Sequence, residues 1–495
     1  MMPGVHSIPG ILPIKSMNLP TPSPTPVLSP ASKRLLPWLV AVAFFMESLD
    51  TTILNTAVPA ISAALHVGPL SMKAVLASYT LALAVFIPIS GWVADRFGTR
   101  RVFASAIGLF TLGSLLCGLS TNIHVLVACR VLQGMGGSMM VPVGRLTLVR
   151  AFEKSELVRQ MSFVSIPSLI APMLGPLAGG FIVSYLHWRV IFFLNIPVGL
   201  IGLVMVYLHL PDFREERTYP LDAVGLILFG SGIALLSYVL EVFGEHTLSS
   251  REVIGMLVLS VAMLLGYWLH ARSIAHPLLD LTLFRIRTFR ASVSGSFFTR
   301  LGIGGVPFLL PLLYQVGFGY TAVQSGLLIM PQAIGSMSMK AIMPKILARL
   351  GYRGVLVSNT LIIGCLLLLF AAIGLHTPIW VILVLAFCYG SFTSLQYTSM
   401  NTLVYSDTTE AQASAAGSIS STVQQLSISF GVACAGLATA FFLPDEAHAT
   451  RVSMIHGLHK ALLSLGVLTI IATLVFRSLR RDDGSAVSHP KIFHP

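Results

Sequence analysis

The sequence predicts an all-α integral membrane protein of fourteen transmembrane helices with both termini in the cytoplasm, and three observations predict it. Hydrophobic residues make up 55% of the chain and charged residues only 10%, at a mean hydropathy of +0.83, where a soluble domain carries about 25% charge. The apolar runs are mostly 20 residues or longer, as a helix crossing about 30 Å of hydrocarbon requires. Short segments of alternating polarity, the mark of a transmembrane β-barrel, do not occur in the sequence. The net charge of +12 does not point to nucleic acid, because Lys and Arg collect in alternate loops, as the positive-inside rule explains. Cys117, Cys129, Cys365, Cys388 and Cys434 fall inside apolar spans without metal-like spacing and read as small hydrophobes. No metal site is expected.

The elements follow in order. Residues 1–32 include Pro20-Thr21-Pro22-Ser23-Pro24-Thr25-Pro26; they cannot form a helix and are expected to be a disordered tail, with Met17 an alternative start. Apolar runs bounded by Gly, Pro and charge then place helices at 35–58, 73–94, 101–120, 123–149, 160–186 and 188–210. Two more follow at 222–243 and 251–272, and a last six at 288–314, 322–347, 353–374, 378–404, 412–443 and 457–477. Arg96, Arg100 and Arg101 follow helix 2, Arg150, Lys154 and Arg159 helix 4, and Arg214 and Arg217 helix 6. Arg272, Arg285, Arg287 and Arg290 follow helix 8, Lys345, Arg349 and Arg353 flank the turn after helix 10, and Arg477, Arg480 and Arg481 follow helix 14. The opposite loops carry only Lys73, Arg189, Arg251 and Arg451, so the even loops are cytoplasmic. The turn after helix 12, with Asp407 and Glu410 and no cation, is the one loop without this signal.

An internal repeat supports two halves. Gly91-Trp92-Val93-Ala94-Asp95-Arg96-Phe97-Gly98-Thr99-Arg100 follows helix 2, and Pro344-Lys345-Ile346-Leu347-Ala348-Arg349-Leu350-Gly351-Tyr352-Arg353 follows helix 10 with Arg, Gly and Arg in the same register. The chain therefore divides into a six-helix half (33–210), an accessory pair with its connectors (211–287), a second six-helix half (288–480) and a cytoplasmic tail (481–495).

Chemistry enters with Asp50 and Glu47, one turn apart in helix 1. A carboxylate at membrane depth costs roughly 2.5–3.5 kcal/mol on insertion scales. Carrying a proton, binding a cation or pairing with a buried Arg would each offset that cost. Asp50 is the first choice for a proton carrier; the plainer alternative is permanent pairing or capping of a broken turn. Glu47 is either a second proton site, a counter-charge for a cationic substrate, or a partner for a buried arginine. The register that aligns Gly91 with Pro344 aligns Glu47 with Arg300 in helix 9, which makes Arg300 the candidate for that arginine. Arg130 lies inside helix 4 and must face a cavity or a carboxylate, with Gln133 on the same face as a hydrogen-bond partner for either a substrate or Arg130. Tyr79, Phe298, Phe308, Tyr314, Gln315, Met330, Gln396 and Tyr397 are weaker candidates for an adaptable substrate lining. Asp95, with Arg96, Arg100, Gly91 and Gly98, suits a cytoplasmic gate, since acids contribute little to topology.

Several stretches carry a family resemblance. They are Leu49–Pro59 in helix 1, Gly91–Arg101, Arg130-Val131-Leu132-Gln133-Gly134, Gly175-Pro176-Leu177-Ala178-Gly179-Gly180, Trp188-Arg189 through Asn195-Ile196-Pro197-Val198-Gly199, and Pro277–Arg285. Over about residues 33–480 the chain resembles the major facilitator superfamily, and within it the fourteen-helix drug:proton antiporter branch of EmrB/QacA type. Ala171 stands where the helix 5 motif usually begins with Gly, and Glu47 where close relatives are uncharged. The resemblance implies the major facilitator fold, with helices 7 and 8 inserted between two six-helix halves. It also implies a proton-coupling role for Arg130 and an antiporter hinge at Gly175, Pro176, Gly179 and Gly180. The expected function is export of amphipathic drugs or toxic small molecules from the bacterial inner membrane by alternating access, driven by the proton gradient without a cofactor. Expected partners are membrane lipids, protons and a small-molecule substrate; some members of that branch also use a membrane-fusion adaptor and an outer-membrane channel. Export of one metabolite or siderophore, an anionic one if Arg300 contacts the substrate, is the alternative within the superfamily, and a non-transporting membrane sensor or scaffold the alternative outside it. No phosphate-binding Gly-Lys-Ser/Thr loop occurs, so the chain is not expected to hydrolyse ATP or to be an enzyme.

Overall fold

The computed structural model describes residues 30–214, 219–242, 250–443, 450–480 and 482–484. Most of the expected N-terminal tail and of the C-terminal tail lies outside the described residues. Every described span is helical: α1 (Pro30–Ile53), α2 (Pro69–Phe97), α3 (Thr99–Leu119), α4 (Ile123–Ala151), α5 (Lys154–Tyr185) and α6 (Val190–His209). The accessory pair is α7 (Ala223–Val242) and α8 (Ser250–Ser273), followed by α9 (Arg287–Gly317). A hydrogen-bonded run over Ala322–Phe370 is interrupted at Gly351, whose φ of 67° and ψ of 167° are open essentially to glycine alone. It divides there into α10 (322–350) and α11 (352–370). The chain ends with α12 (Ile379–Leu403), α13 (Glu410–Phe442) and α14 (Arg451–Phe476).

All fourteen expected spans are present, with corrected ends. The first helix starts at Pro30, earlier than expected, because proline suits a first helical turn. It stops at Ile53; 54–57 form a turn and a short helix resumes over Val58–Ala64. Pro59 has no N–H to continue the ladder across that point. Pro88 has the same effect inside α2, where Ile87–Ile89 tighten to a 3₁₀ turn. The last helix opens at Arg451, not 457, because the Thr450 side chain accepts from the Ser453 N–H at 3.2 Å, satisfying one free donor of the first turn.

Within the first six helices α1 packs on α5 and α3 on α4; within the last six α9 packs on α13 and α14. The two sets meet along α5–α10 and α2–α13, and the α7–α8 pair rests on α2 and α13. Large apolar side chains such as Ile201, Leu208, Leu265 and Leu269 are exposed on α6 and α8. On helices whose backbone bonds are satisfied internally, such an apolar surface is what lipid contact requires.

Candidate functional site

Asp50 ends α1 just before the turn at 54–57 and is 1% exposed. Arg130 of α4, equally buried, donates from Nη1 to Asp50 Oδ2 in a direct ion pair and to Gln133 Oε1 at 2.7 Å. Asp50 Oδ1 accepts from Gln133 Nε2 at 2.8 Å and from Asn195 Nδ2 at 3.1 Å. Asn195 also donates to Ser114 Oγ at 3.0 Å, and that hydroxyl donates to the Phe192 carbonyl at 2.8 Å. Arg130 lies 4.1 Å from the centroid of the Tyr79 ring, which forms one wall of its niche. Three helices, α1, α4 and α6, thus converge on one carboxylate, and charge-assisted bonds of this kind are about twice as strong as neutral ones.

Glu47, one turn before Asp50, is only half-buried. Its charged neighbours are Asp50 and Arg145 of α4, not Arg300. The expected Glu47–Arg300 pair is absent: Arg300 Nε donates to Ser296 Oγ at 3.0 Å and its guanidinium lies 3.6 Å from the Tyr397 ring centroid.

A cavity of about 190 Å³ lies where the two sets of helices meet. Thr52 of α1, Asn55 of the turn after it and Pro172 and Pro176 of α5 face Val306, Pro307 and Leu310 of α9 across it, with Gln332 and Ser336 of α10 and Gly390 and Thr393 of α12. On the face away from the chain termini the two sets of helices are tied together beside it. Gln315 Nε2 donates to the Thr56 carbonyl at 3.0 Å, joining α9 to the turn after α1. Thr56 Oγ1 donates to the Pro176 carbonyl at 3.0 Å.

The helix 5 glycines serve this junction on two sides. A Cβ on Gly175 or Gly179 would fall on Thr52, Ile53 and Thr56 of the first helix and its turn, and one on Gly180 would fall on Ala322 of α10. Gly326 of α10 returns the contact against Pro176. The helix runs unbroken through Pro176.

The remaining substrate candidates do not line the cavity. Phe308 and Tyr314 are buried, Gln396 is held between Thr360 and Asn359 of α11, and Phe298 lies edge-on to Phe297. Met330 is half-buried on α10.

At the terminus-side end of α2, Asp95 pairs with Arg150 of α4 at 2.8 Å rather than with Arg96 or Arg100. Gly98 has φ 91° and leaves room for Asp212, whose carboxylate accepts from the Arg100 N–H at 3.1 Å and so caps α3. A Cβ on Gly91 would meet nothing within 4 Å. The accessory pair is tied in nearby: the Trp92 indole donates to the Tyr219 carbonyl at 2.6 Å. Asp222, just before α7, accepts from the N–H groups of Gly225 and Leu278 and contacts His270 Nε2 at 2.8 Å. Burial pushes its carboxyl up, but the bonds from His270, Gly225 and Leu278 outweigh this and hold it below the usual carboxylate value.

Sequence reasoning found Asp50, Arg130 and Gln133 and missed Asn195, Ser114, Asp212 and the cavity lining. Only the pattern of small and polar residues at Gln332, Ser336, Gly390 and Thr393, three to four apart on two helices, could have pointed to that lining.

Comparison with known proteins is consistent with this architecture. A family profile described as Major Facilitator Superfamily matches residues 40–432. The chain is 42% identical over 449 residues to a Serratia proteamaculans protein bearing the name multidrug resistance protein MdtD, covering 90% of this chain and 93% of that one. A Klebsiella pneumoniae protein of the same name is 40% identical over 456 residues, covering 92% and 97%. Among solved structures, a D-xylose-proton symporter superimposes at a TM-score of 0.65 with 14% identity, covering 90% of this chain and 98% of that one. An inward-facing, unoccupied bacterial homolog of the human lysosomal transporter Spinster does so at 0.65 and 14%, covering 91% and 98%.

Proposed function

The chain belongs to the major facilitator superfamily and is a multi-pass transporter of the bacterial inner membrane, and on that premise we propose that it exports amphipathic small molecules in exchange for protons. One observation carries the proposal: a membrane-embedded carboxylate, Asp50, is held by Arg130, Gln133 and Asn195, with a second acid, Glu47, half-open one turn away. A proton arriving at Asp50 neutralises the carboxylate and removes the ion pair, leaving Arg130 with Gln133 Oε1 and a long contact of 3.5 Å to the Val75 carbonyl. Breaking a buried pair changes the balance between two packings by about 3–5 kcal/mol. That is enough to reverse a two-state equilibrium. Because α1 carries Asp50 and also packs against the glycines of α5, loss of the pair frees the helix that meets this junction. Proton release toward the cytoplasm restores the pair and resets the cycle. The names of the MdtD relatives support a drug-like substrate.

The test is a pH-jump transport assay in proteoliposomes. Asp50→Asn is expected to abolish gradient-driven uphill exchange while keeping downhill counterflow, which reports an intact fold. Glu47→Gln is expected to change substrate range more than coupling. Full uphill activity in Asp50→Asn overturns the assignment.

A further inference from the structure

The first half of the molecule neutralises its buried arginine; the second half does not. Arg300 on α9 is 2% exposed, and its Nη2 has no hydrogen-bond partner. Its Nε donates to Ser296, and Tyr397 both accepts a bond from the guanidinium and covers one face of it with its ring. Arginine keeps its charge in any protein environment, and an aromatic face offsets only part of the desolvation of such a group. Its own half supplies no acid to complete the pair. Between residues 288 and 480 the only acids are Asp407, Glu410, Asp445 and Glu446, and none falls in the interior of α9 to α14.

Position links this cation to the cavity. Arg300 lies seven residues before Pro307, close to two helical turns and hence near the same face of α9, and Pro307 lines the cavity. Tyr397 follows the lining residue Thr393 by one turn of α12. A second cation, Lys340, follows the lining residue Ser336 by one turn of α10 and is exposed. Inside the cavity, Gln332 Nε2 is another buried donor without a partner. The second half therefore presents nitrogen donors that lack acceptors.

We propose that Arg300 recognises an acidic group, a carboxylate or sulfonate, on the exported molecule, which makes amphipathic organic anions a substrate class of this transporter. The inference rests on the export reading above and names the chemistry of what is exported. The oxyanion accepts from the free Nη2 edge of the guanidinium, while the apolar body of the ligand extends toward Thr393 and the cavity. Lys340 draws the anion along the cavity face of α10. Asp50 in the other half takes the proton from its pairing with Arg130, so proton and anion occupy separate groups.

The experiment measures binding to the purified full chain in nonionic detergent at fixed pH, with two fluorescent probes that differ in charge alone: dansylglycine and dansylglycinamide. The carboxylate is expected to bind about tenfold or more tightly than the amide, the scale of a hydrogen bond to a charged group. Arg300→Gln is expected to remove that preference by weakening the carboxylate far more than the amide, and Arg300→Lys to retain part of it. Equal affinity of the two probes for the wild type overturns the proposal without any variant, as does a preference that survives Arg300→Gln. If phosphatidylglycerol rather than dansylglycine stabilises the wild type, and Arg300→Gln loses that effect, the occupant is a lipid headgroup and the substrate assignment fails. None of these readouts uses a gradient, so failure of proton exchange in the pH-jump assay remains separately visible.

Discussion

At the scale of the residue, the decisive feature is how completely Asp50 is satisfied: a cation on one oxygen and two amide donors on the other. Removing a partner from a buried group costs about 1–3 kcal/mol. Asn195→Ala is therefore expected to lower stability by that amount in thermal unfolding of the detergent-solubilised protein, and to slow exchange in the same vesicles. Unaltered unfolding would show that Asn195 only neighbours the carboxylate. Asp50 and Arg130 were legible in the sequence because an ionised group in an apolar helix stands out against its surroundings. Asn195 was not, since an amide among the residues opening a helix looks like an ordinary start signal, and its partner Ser114 lies on another helix. The same limit explains Arg300. Its presence in helix 9 was visible, but pairing it with Glu47 assumed that the halves meet at equivalent heights, whereas the guanidinium turns within its own half to Tyr397.

At the scale of the element, hydropathy located every membrane helix and could not locate the interruptions. The turn at 54–57, the 3₁₀ turn at Ile87–Ile89 and the π-turn at Leu313–Gly317 are backbone events inside apolar sequence, and apolarity carries no record of them. Connectors are read no better, because their role depends on partners distant in sequence. Residues 211–213, after α6, run along the start of α3, where Thr99 N–H donates to the Phe213 carbonyl at 3.0 Å and Asp212 caps the helix. Asp222 then holds the start of α7 to the segment after α8 through the Leu278 N–H at 3.0 Å. Its carboxyl sits below the ordinary value of about 4, so the unfolded state binds its proton first as pH falls. The stabilisation from this joint is therefore complete above about pH 4 and is lost as pH falls through the lowered value. Hydrogen exchange at the Gly225 and Leu278 amides is expected to quicken, relative to their intrinsic rates, below that range in the wild type. Asp222→Asn is expected to show faster exchange at neutral pH as well. A joint equally protected in both proteins would mean that packing alone docks the accessory pair.

At the scale of the whole molecule, two sets of six helices of unlike buried charge meet at one tightly packed face. The first carries Glu47 and Asp50 against Arg130; the second carries Arg300 with no acid in its membrane interior. What closes the face away from the termini is largely close backbone approach: Gly180 against Ala322 and Gly326 against Pro176, with Gln315 bonded to the Thr56 carbonyl beside them. Small residues permit this between membrane helices, where packing and not the hydrophobic effect drives association. A large side chain at either glycine cannot be absorbed by a rotamer change, because the atoms it would meet are backbone. Gly326→Leu is therefore expected to wedge α5 from α10 and to shift the molecule toward the state open on that face. The measurement is labelling of a Thr56→Cys reporter, in a variant cleared of its native cysteines, by a membrane-impermeant thiol reagent added to intact cells. Labelling should rise severalfold in Gly326→Leu over the same reporter with Gly326 retained, and Asp50→Asn should move it in the same direction by releasing α1. If the leucine leaves Thr56→Cys as protected as before, glycine contacts do not hold the junction, and the link from Asp50 through α1 to the α5 glycines would have to be abandoned with them.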